Sequence, residues 1–175
     1  MVRWTRIVGL FTIVLAAVGG IQALAFIQSE RAAIYPQIDA MTPLDADKNP
    51  IIKITVLNSG RSEAFLTEMR VKAWIGELPE KPDYSDAESG ITGFVPSGGA
   101  RLVQFGPMTS LNWAQVADIK RDTLKIYVFG YVRFTDPFSF WGPKTIGFCG
   151  RYVSTDITTE ASFMDCKQPN YSYAD

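Results

Sequence analysis

Residues Ile7 to Ile27 (IVGLFTIVLAAVGGIQALAFI) form an apolar run of 21 residues in which Gln22 is the one strongly polar member. As a helix rising ~1.5 Å per residue, such a run spans roughly 30 Å, the thickness of a bilayer's hydrocarbon core. Arg3 and Arg6 precede it, whereas Glu30 and Arg31 nearly cancel just after it. The positive-inside rule then places residues 1–6 in the cytoplasm, 7–27 in the lipid bilayer, and everything after Gln28 on the far side. Trp4, with Arg3 and Arg6, marks the inner membrane interface, where an amphipathic ring is favoured. The competing reading is a cleaved signal peptide. Its elements are a basic start at Arg3 and Arg6, an apolar stretch Ile7–Val18, a helix-breaking Gly19-Gly20, and a cleavage site at Ala23-Leu24-Ala25. Apolar sequence continues through Phe26 and Ile27, which favours a retained anchor. Both readings export the rest of the chain.

What is exported is a single domain's worth of sequence. Setting the first segment aside leaves roughly 140 residues, enough to bury a core without staples. The chain has 17 basic and 18 acidic side chains, and no basic cluster, which argues against nucleic acid as a partner. It contains no histidine, so the commonest general base and metal ligand are missing. The expectation is a non-enzymatic protein without cofactor or metal.

Periodicity in the exported part is that of strands. A connecting segment over 28–50 is punctuated by Pro36, Pro43 and Pro50. Ile51 to Leu57 alternates, with Ile52, Ile54 and Val56 on one face, and closes at the turn residues Asn58-Ser59-Gly60. From Ala64 to Ile75, the pattern places Phe65, Met69, Val71, Ala73 and Ile75 on one side and Glu68, Arg70 and Lys72 on the other. Residues 76–90 are polar and acidic and read as an exposed loop. A strand follows near Leu102–Phe105. Ser110 offers an N-cap for a short helix to about Ile119 that buries Leu111, Ala114 and Ile119.

Leu124 to Thr135 (LKIYVFGYVRFT) is apolar on both faces, the mark of a central strand. The turn Asp136–Pro143, a strand Thr145–Tyr152 and a last strand near Ala161–Met164 complete the series. Strands at this spacing, with turn signals between them, predict an all-β, immunoglobulin-like antiparallel β-sandwich over 51–175, preceded by one transmembrane helix.

Several of these stretches resemble a group of uncharacterised bacterial single-pass membrane proteins. Asn58-Ser59-Gly60-Arg61-Ser62-Glu63-Ala64 is similar to that group's NTGxTPA turn. Tyr127 to Phe138 (YVFGYVRFTDPF) is similar to its YxYGxVxYxDxFG signature, and Phe148-Cys149-Gly150-Arg151-Tyr152 to its FCxxY. Ser62-Glu63 replaces Thr-Pro, and Ser139 stands where glycine would follow Phe138. The resemblance implies a bacterial inner-membrane protein whose domain faces the periplasm, and it implies no activity.

Candidate chemistry is sparse. Cys149 and Cys166, the only cysteines, form a disulfide candidate in an oxidising compartment. Asp45-Ala46-Asp47-Lys48-Asn49 has the acid spacing that opens a calcium loop, but Pro50 and Val56 stand where glycine and glutamate are needed. Glu77, Glu80, Asp83, Asp86 and Glu88 crowd one loop and read as a charged tip. Asp136, beside Pro137, reads as a turn residue bonding nearby backbone.

Tyr127, Phe129 and Tyr131 form either an exposed patch or a second buried face of the strand. Phe138, Phe140 and Trp141, at the adjoining turn, are candidates for partner contact. The leading expectation is therefore a membrane-anchored interaction or accessory protein that meets another membrane or periplasmic protein. The alternatives are a periplasmic small-ligand-binding β-domain, released by cleavage near Ala25, and an enzyme working with carboxylates alone.

Overall fold

The computed structural model describes residues 2–41, 50–90, 92–106, 111–140, 142–153, 162–166 and 168–175. Helix α1 (Val2–Glu30) opens the chain, and its apolar part, Ile7–Glu30, is long and apolar enough to cross a membrane. None of that apolar window is buried against the rest of the protein. The helix's apolar window therefore contributes nothing to the buried core of the β domain.

The remainder is mostly β, with strand making up 42 % of the described residues. Strands β1 (Ile34–Met41), β2 (Ile52–Asn58) and β6 (Ala100–Phe105) form one antiparallel sheet in the order β1-β2-β6. The second sheet runs in the order β4-β3-β7-β8-β9, with β5 also paired to β3. Its strands are β3 (Ala64–Ile75), β4 (Glu88–Ser89), β5 (Gly93–Val95), β7 (Ile126–Thr135), β8 (Lys144–Val153) and β9 (Ser162–Asp165). Both sheets turn alternate apolar residues into one shared core. Ile34, Ile52, Ile54, Val56 and Val103 come from the first sheet, and Leu66, Met69, Val128, Val132 and Phe134 from the second.

Strand β1 lies inside the segment read as a connection, so the β domain begins at Ile34 rather than at residue 51. Proline at 36 argued against a strand there. On an edge strand a missing N–H leaves no ladder bond unmade, and β1 is an edge. The burial pattern of β3 also differs from a simple alternation. Its register shifts between Leu66 and Glu68, so the bulge at Thr67 reverses the faces before it. Ala64 and Leu66 are buried, while Phe65 points outward and packs its ring 4.8 Å from that of Phe94.

Helix α2 (Trp113–Lys120) is capped by Asn112 rather than by Ser110, which lies outside the described residues. The Asn112 side chain accepts from the Gln115 N–H at 2.9 Å, and the Gln115 side chain accepts from the Asn112 N–H at 3.1 Å. Leu111, Val116 and Ile119 are buried and Ala114 is exposed. Val116, one turn before Lys120, replaces Ala114 on the inner face.

Strand β7 sits between β3 and β8, and its two apolar faces serve two cores. Tyr127 and Phe129 join Cys149, Cys166, Tyr171, Trp74, Leu78 and Tyr84 in a second, smaller cluster. The ring of Phe129 stands edge-on to Tyr171 at 5.0 Å and to Tyr84 at 5.8 Å. The lid on this face is the 76–90 loop together with the C-terminal tail. That loop is therefore not wholly exposed: Leu78 and Tyr84 turn inward, and the fully buried Tyr171 donates its hydroxyl to the Pro79 carbonyl at 2.8 Å. Burial raises the pKa of the Tyr84 hydroxyl, aided by neighbouring tyrosines. The Cys149–Cys166 disulfide closes this core, with the Cα atoms 5.3 Å apart.

Candidate site at the junction of helix and domain

The three residues that follow α1 are held on both sides. Asp136, at the end of β7, has a side chain with no solvent exposure. One carboxylate oxygen, Oδ1, accepts from the Phe138 N–H and from the Ser139 hydroxyl, each at 2.9 Å. The other, Oδ2, accepts from Lys144 Nζ at 2.8 Å and from the Ala32 N–H at 3.3 Å. The first pair is a local turn motif of the kind aspartate favours. The second pair reaches β8 and, 104 residues back in sequence, the chain leaving the helix. Burial alone would push this carboxyl's pKa up. The bonds from Lys144, Ser139 and Phe138 and the charge of Lys144 outweigh it, so Asp136 is held below the ordinary aspartate range.

Asn58 clamps the other side. It is 1 % exposed, and its amide makes four hydrogen bonds. The carbonyl oxygen accepts from the Ala33 N–H at 3.2 Å and the Gly60 N–H at 3.0 Å. The NH2 donates to the Ser62 carbonyl at 2.8 Å and the Val95 carbonyl at 3.2 Å. The Ser59 N–H adds a bond to the Ala33 carbonyl at 2.9 Å. Gly60 is needed here, because a Cβ at that position would overlap the Arg31 carbonyl and the Ala33 nitrogen. Glu30 also pairs with Arg61 at 3.1 Å, but that guanidinium is 71 % exposed and the pair adds little. The joint between helix and domain is thus made of buried polar groups, bonded at the Ala32 and Ala33 backbone by the Asp136 and Asn58 side chains. It is not a flexible linker, which would leave its backbone in water.

This joint carries the aromatic turn. Arg31 donates to the Phe138 carbonyl at 3.4 Å. Phe138 is half-buried, Phe140 is 70 % exposed, and Trp141 lies outside the described residues. Beside them is an open hollow of about 430 Å³ bounded by Arg31, Phe138, Phe140, Pro143, Lys144 and Asp175. Arg31 Nε has no hydrogen-bond partner among the described residues and no solvent contact.

The remaining sequence candidates fall elsewhere. Trp4 is on α1 and exposed, and Arg3 and Arg6 belong to the same helix. Asp45 and Asp47 lie outside the described residues. In the acidic loop, Asp83 accepts from the Ser85 N–H at 2.9 Å and from its hydroxyl at 3.0 Å; these bonds hold its pKa below the ordinary range. Lys72 stands 3.6 Å from Asp83 and 4.0 Å from Asp86. Glu68, on the outer face of β3, accepts from the Tyr131 hydroxyl at 2.8 Å, and from Arg70 at 2.9 Å and Arg133 at 3.0 Å. A second open groove, of about 690 Å³, runs between β1 and the β8–β9 pair, bordered by Tyr35, Gln37, Ile38, Gly150 and Phe163.

Sequence reasoning placed Asp136 and Asn58 in turns but missed their long-range halves. The signal available was chemical: each is a side chain that can bond in several directions, next to a proline or glycine turn. No family model, no curated protein and no solved structure matches the chain.

Proposed function

We propose that the protein is a membrane-anchored, non-catalytic accessory protein. In this reading α1 is retained, its N-terminus is cytoplasmic, and an immunoglobulin-like β-sandwich faces the periplasm. The observation that carries it is a long apolar helix, none of whose apolar window is buried in the domain, joined to that domain without a flexible linker. Residues 31–33 are bonded into the domain by Asp136 and Asn58. Cleavage near Ala25 would leave those bonds in place, so the uncovered apolar helix favours the anchor, and the joint fixes where an anchored domain sits. The exposed helix and the free edge of β1 make up the surface that reaches a membrane neighbour. The buried carboxylate Asp136 is committed to four donors, which leaves it no free lone pair for proton transfer.

The test is affinity purification of the full-length protein from its native membranes in mild detergent, with mass spectrometry of bait and prey. A stoichiometric membrane protein recovered with the bait supports the accessory reading. A lone chain lacking its first peptide contradicts it. The groove between β1 and β8–β9, whose size suits a small ligand, supports the second reading, a periplasmic ligand-binding domain. That reading predicts that a soluble chain binds small apolar molecules with no partner present.

A further inference from the structure

We infer that the Asp136–Phe140 turn rests on the bilayer itself, with Phe140 in the interfacial zone of the leaflet from which α1 emerges. The inference depends on the anchor reading above and adds what the turn meets: lipid, not protein.

The position follows from arithmetic on the joint. The last apolar residue of the run is Ile27, helix continues to Glu30, and Ala32 is bonded to Asp136. Three helical residues at ~1.5 Å each and two non-helical ones at up to ~3.3 Å each put that bond about 7–11 Å beyond the hydrocarbon edge for an upright helix. The headgroup layer of one leaflet is roughly 5–8 Å thick, since the whole bilayer measures ~40–45 Å around a ~30 Å core. Tilting the helix lowers the joint toward the bilayer. Asp136 is therefore at the headgroup layer or just outside it, and the turn is tied there because Arg31 and Ala32 are bonded to it directly.

The chemistry of the turn suits that level. Phe140 presents a bare ring at the tip, 70 % exposed, where water is a poor solvent for it and the acyl boundary a good one. Beside it, Arg31 lines the same hollow as the rings of Phe138 and Phe140, so a cation adjoins apolar surface as phosphate adjoins acyl chain at the interface. Trp113, also 70 % exposed, is by contrast on α2, which takes no part in the joint.

Site-directed spin labelling of the full chain in vesicles of phosphatidylethanolamine and phosphatidylglycerol tests this. Cys149 and Cys166 are bonded to each other, so a single added thiol is the one labelled. Three variants are compared by collision with oxygen, which concentrates in lipid, and with a polar nickel chelate, which does not: Phe140→Cys, Trp113→Cys and Leu15→Cys. All three side chains are exposed, so the fold tolerates the changes. The expected result is a strong oxygen preference at position 15, a clear shift toward oxygen at 140, and a nickel preference at 113. If position 15 reads as lipid and position 140 reads like 113, the turn is in water and the inference is wrong while the anchor stands. Protection of position 140 from both reagents would mean a protein contact and also overturns it. A water-like reading at position 15 removes the anchor, and the inference with it.

Discussion

Replacing Asp136 by alanine tests the joint most sharply. The wild-type carboxylate is fully enclosed and accepts from Lys144 Nζ, the Ser139 hydroxyl, and the Phe138 and Ala32 N–H groups. Truncation strands one cation, one hydroxyl and two backbone donors. Lys144 retains 25 % exposure and can turn to water, which softens the loss, but the two backbone donors are fixed. Removing one member of a buried charged pair typically costs about 3–5 kcal/mol, and hydrogen bonds to a charged acceptor are worth ~1.5–3 kcal/mol each. We therefore expect Asp136→Ala to lower the stability of the β domain by about 4 kcal/mol, a large share of the ~5–15 kcal/mol available to a domain. Asp136→Asn keeps an acceptor for the local pair and loses the charge, for about 2 kcal/mol. The assay is urea unfolding of full-length protein in detergent micelles, followed by near-ultraviolet circular dichroism of the β domain. A loss below about 1 kcal/mol for the alanine variant would refute the claim that this carboxylate holds the joint.

The remaining predictions concern pH, the second clamp, the disulfide and a glycine. Because the folded pKa of Asp136 is depressed, its contribution is present in full above the unfolded value near ~3.9 and is lost as pH falls through the lower folded value. The stability gap between wild type and Asp136→Asn should accordingly be constant above about pH 5 and shrink below about pH 4, as read from urea midpoints across that range. Asn58→Asp removes the two donors that hold the Ser62 and Val95 carbonyls and buries a charge, so it should destabilise by about 3 kcal/mol, more than an isosteric change on the surface. Reducing Cys149–Cys166, which closes a loop of sequence separation 17, should cost ~3 kcal/mol by chain entropy, measured as the drop in thermal midpoint with and without reductant. Gly130→Ala places a Cβ against the Arg70 carbonyl and 2.7 Å from the Phe148 ring; a loss of about 2–3 kcal/mol is expected, because the carbonyl belongs to the paired strand and cannot move aside.

How much of this was legible in sequence depended on how local the deciding interaction is. Strands β2 and β3 announce themselves by alternation and β7 by a run apolar on both faces, and β3 runs from Ala64 to Ile75 as its pattern indicates. The outward turn of Phe65 was not legible, because one bulge at Thr67 inverts the faces before it without changing composition. Strand β1 was hidden by Pro36, which is disqualifying only where both strand edges are used. The second core was hidden for a different reason. Its lid consists of Leu78 and Tyr84 from an acidic loop and Tyr171 from the tail, residues that no local pattern connects with Phe129. Asp136 was half legible: the bonds to Phe138 and Ser139 follow from turn chemistry, while that to Ala32 depends on where the helix exits. The disulfide pairing needed no geometry, since the chain holds only two cysteines.

The account stands on the helix being kept. The direct measurement is the intact mass of the protein recovered from carbonate-washed native membranes. The account predicts a chain carrying residues 7–27, resistant to alkaline extraction. A species beginning just after Ala25 and released to the soluble fraction would contradict it, and would leave the bonds of Ala32 and Ala33 as the start of a free domain.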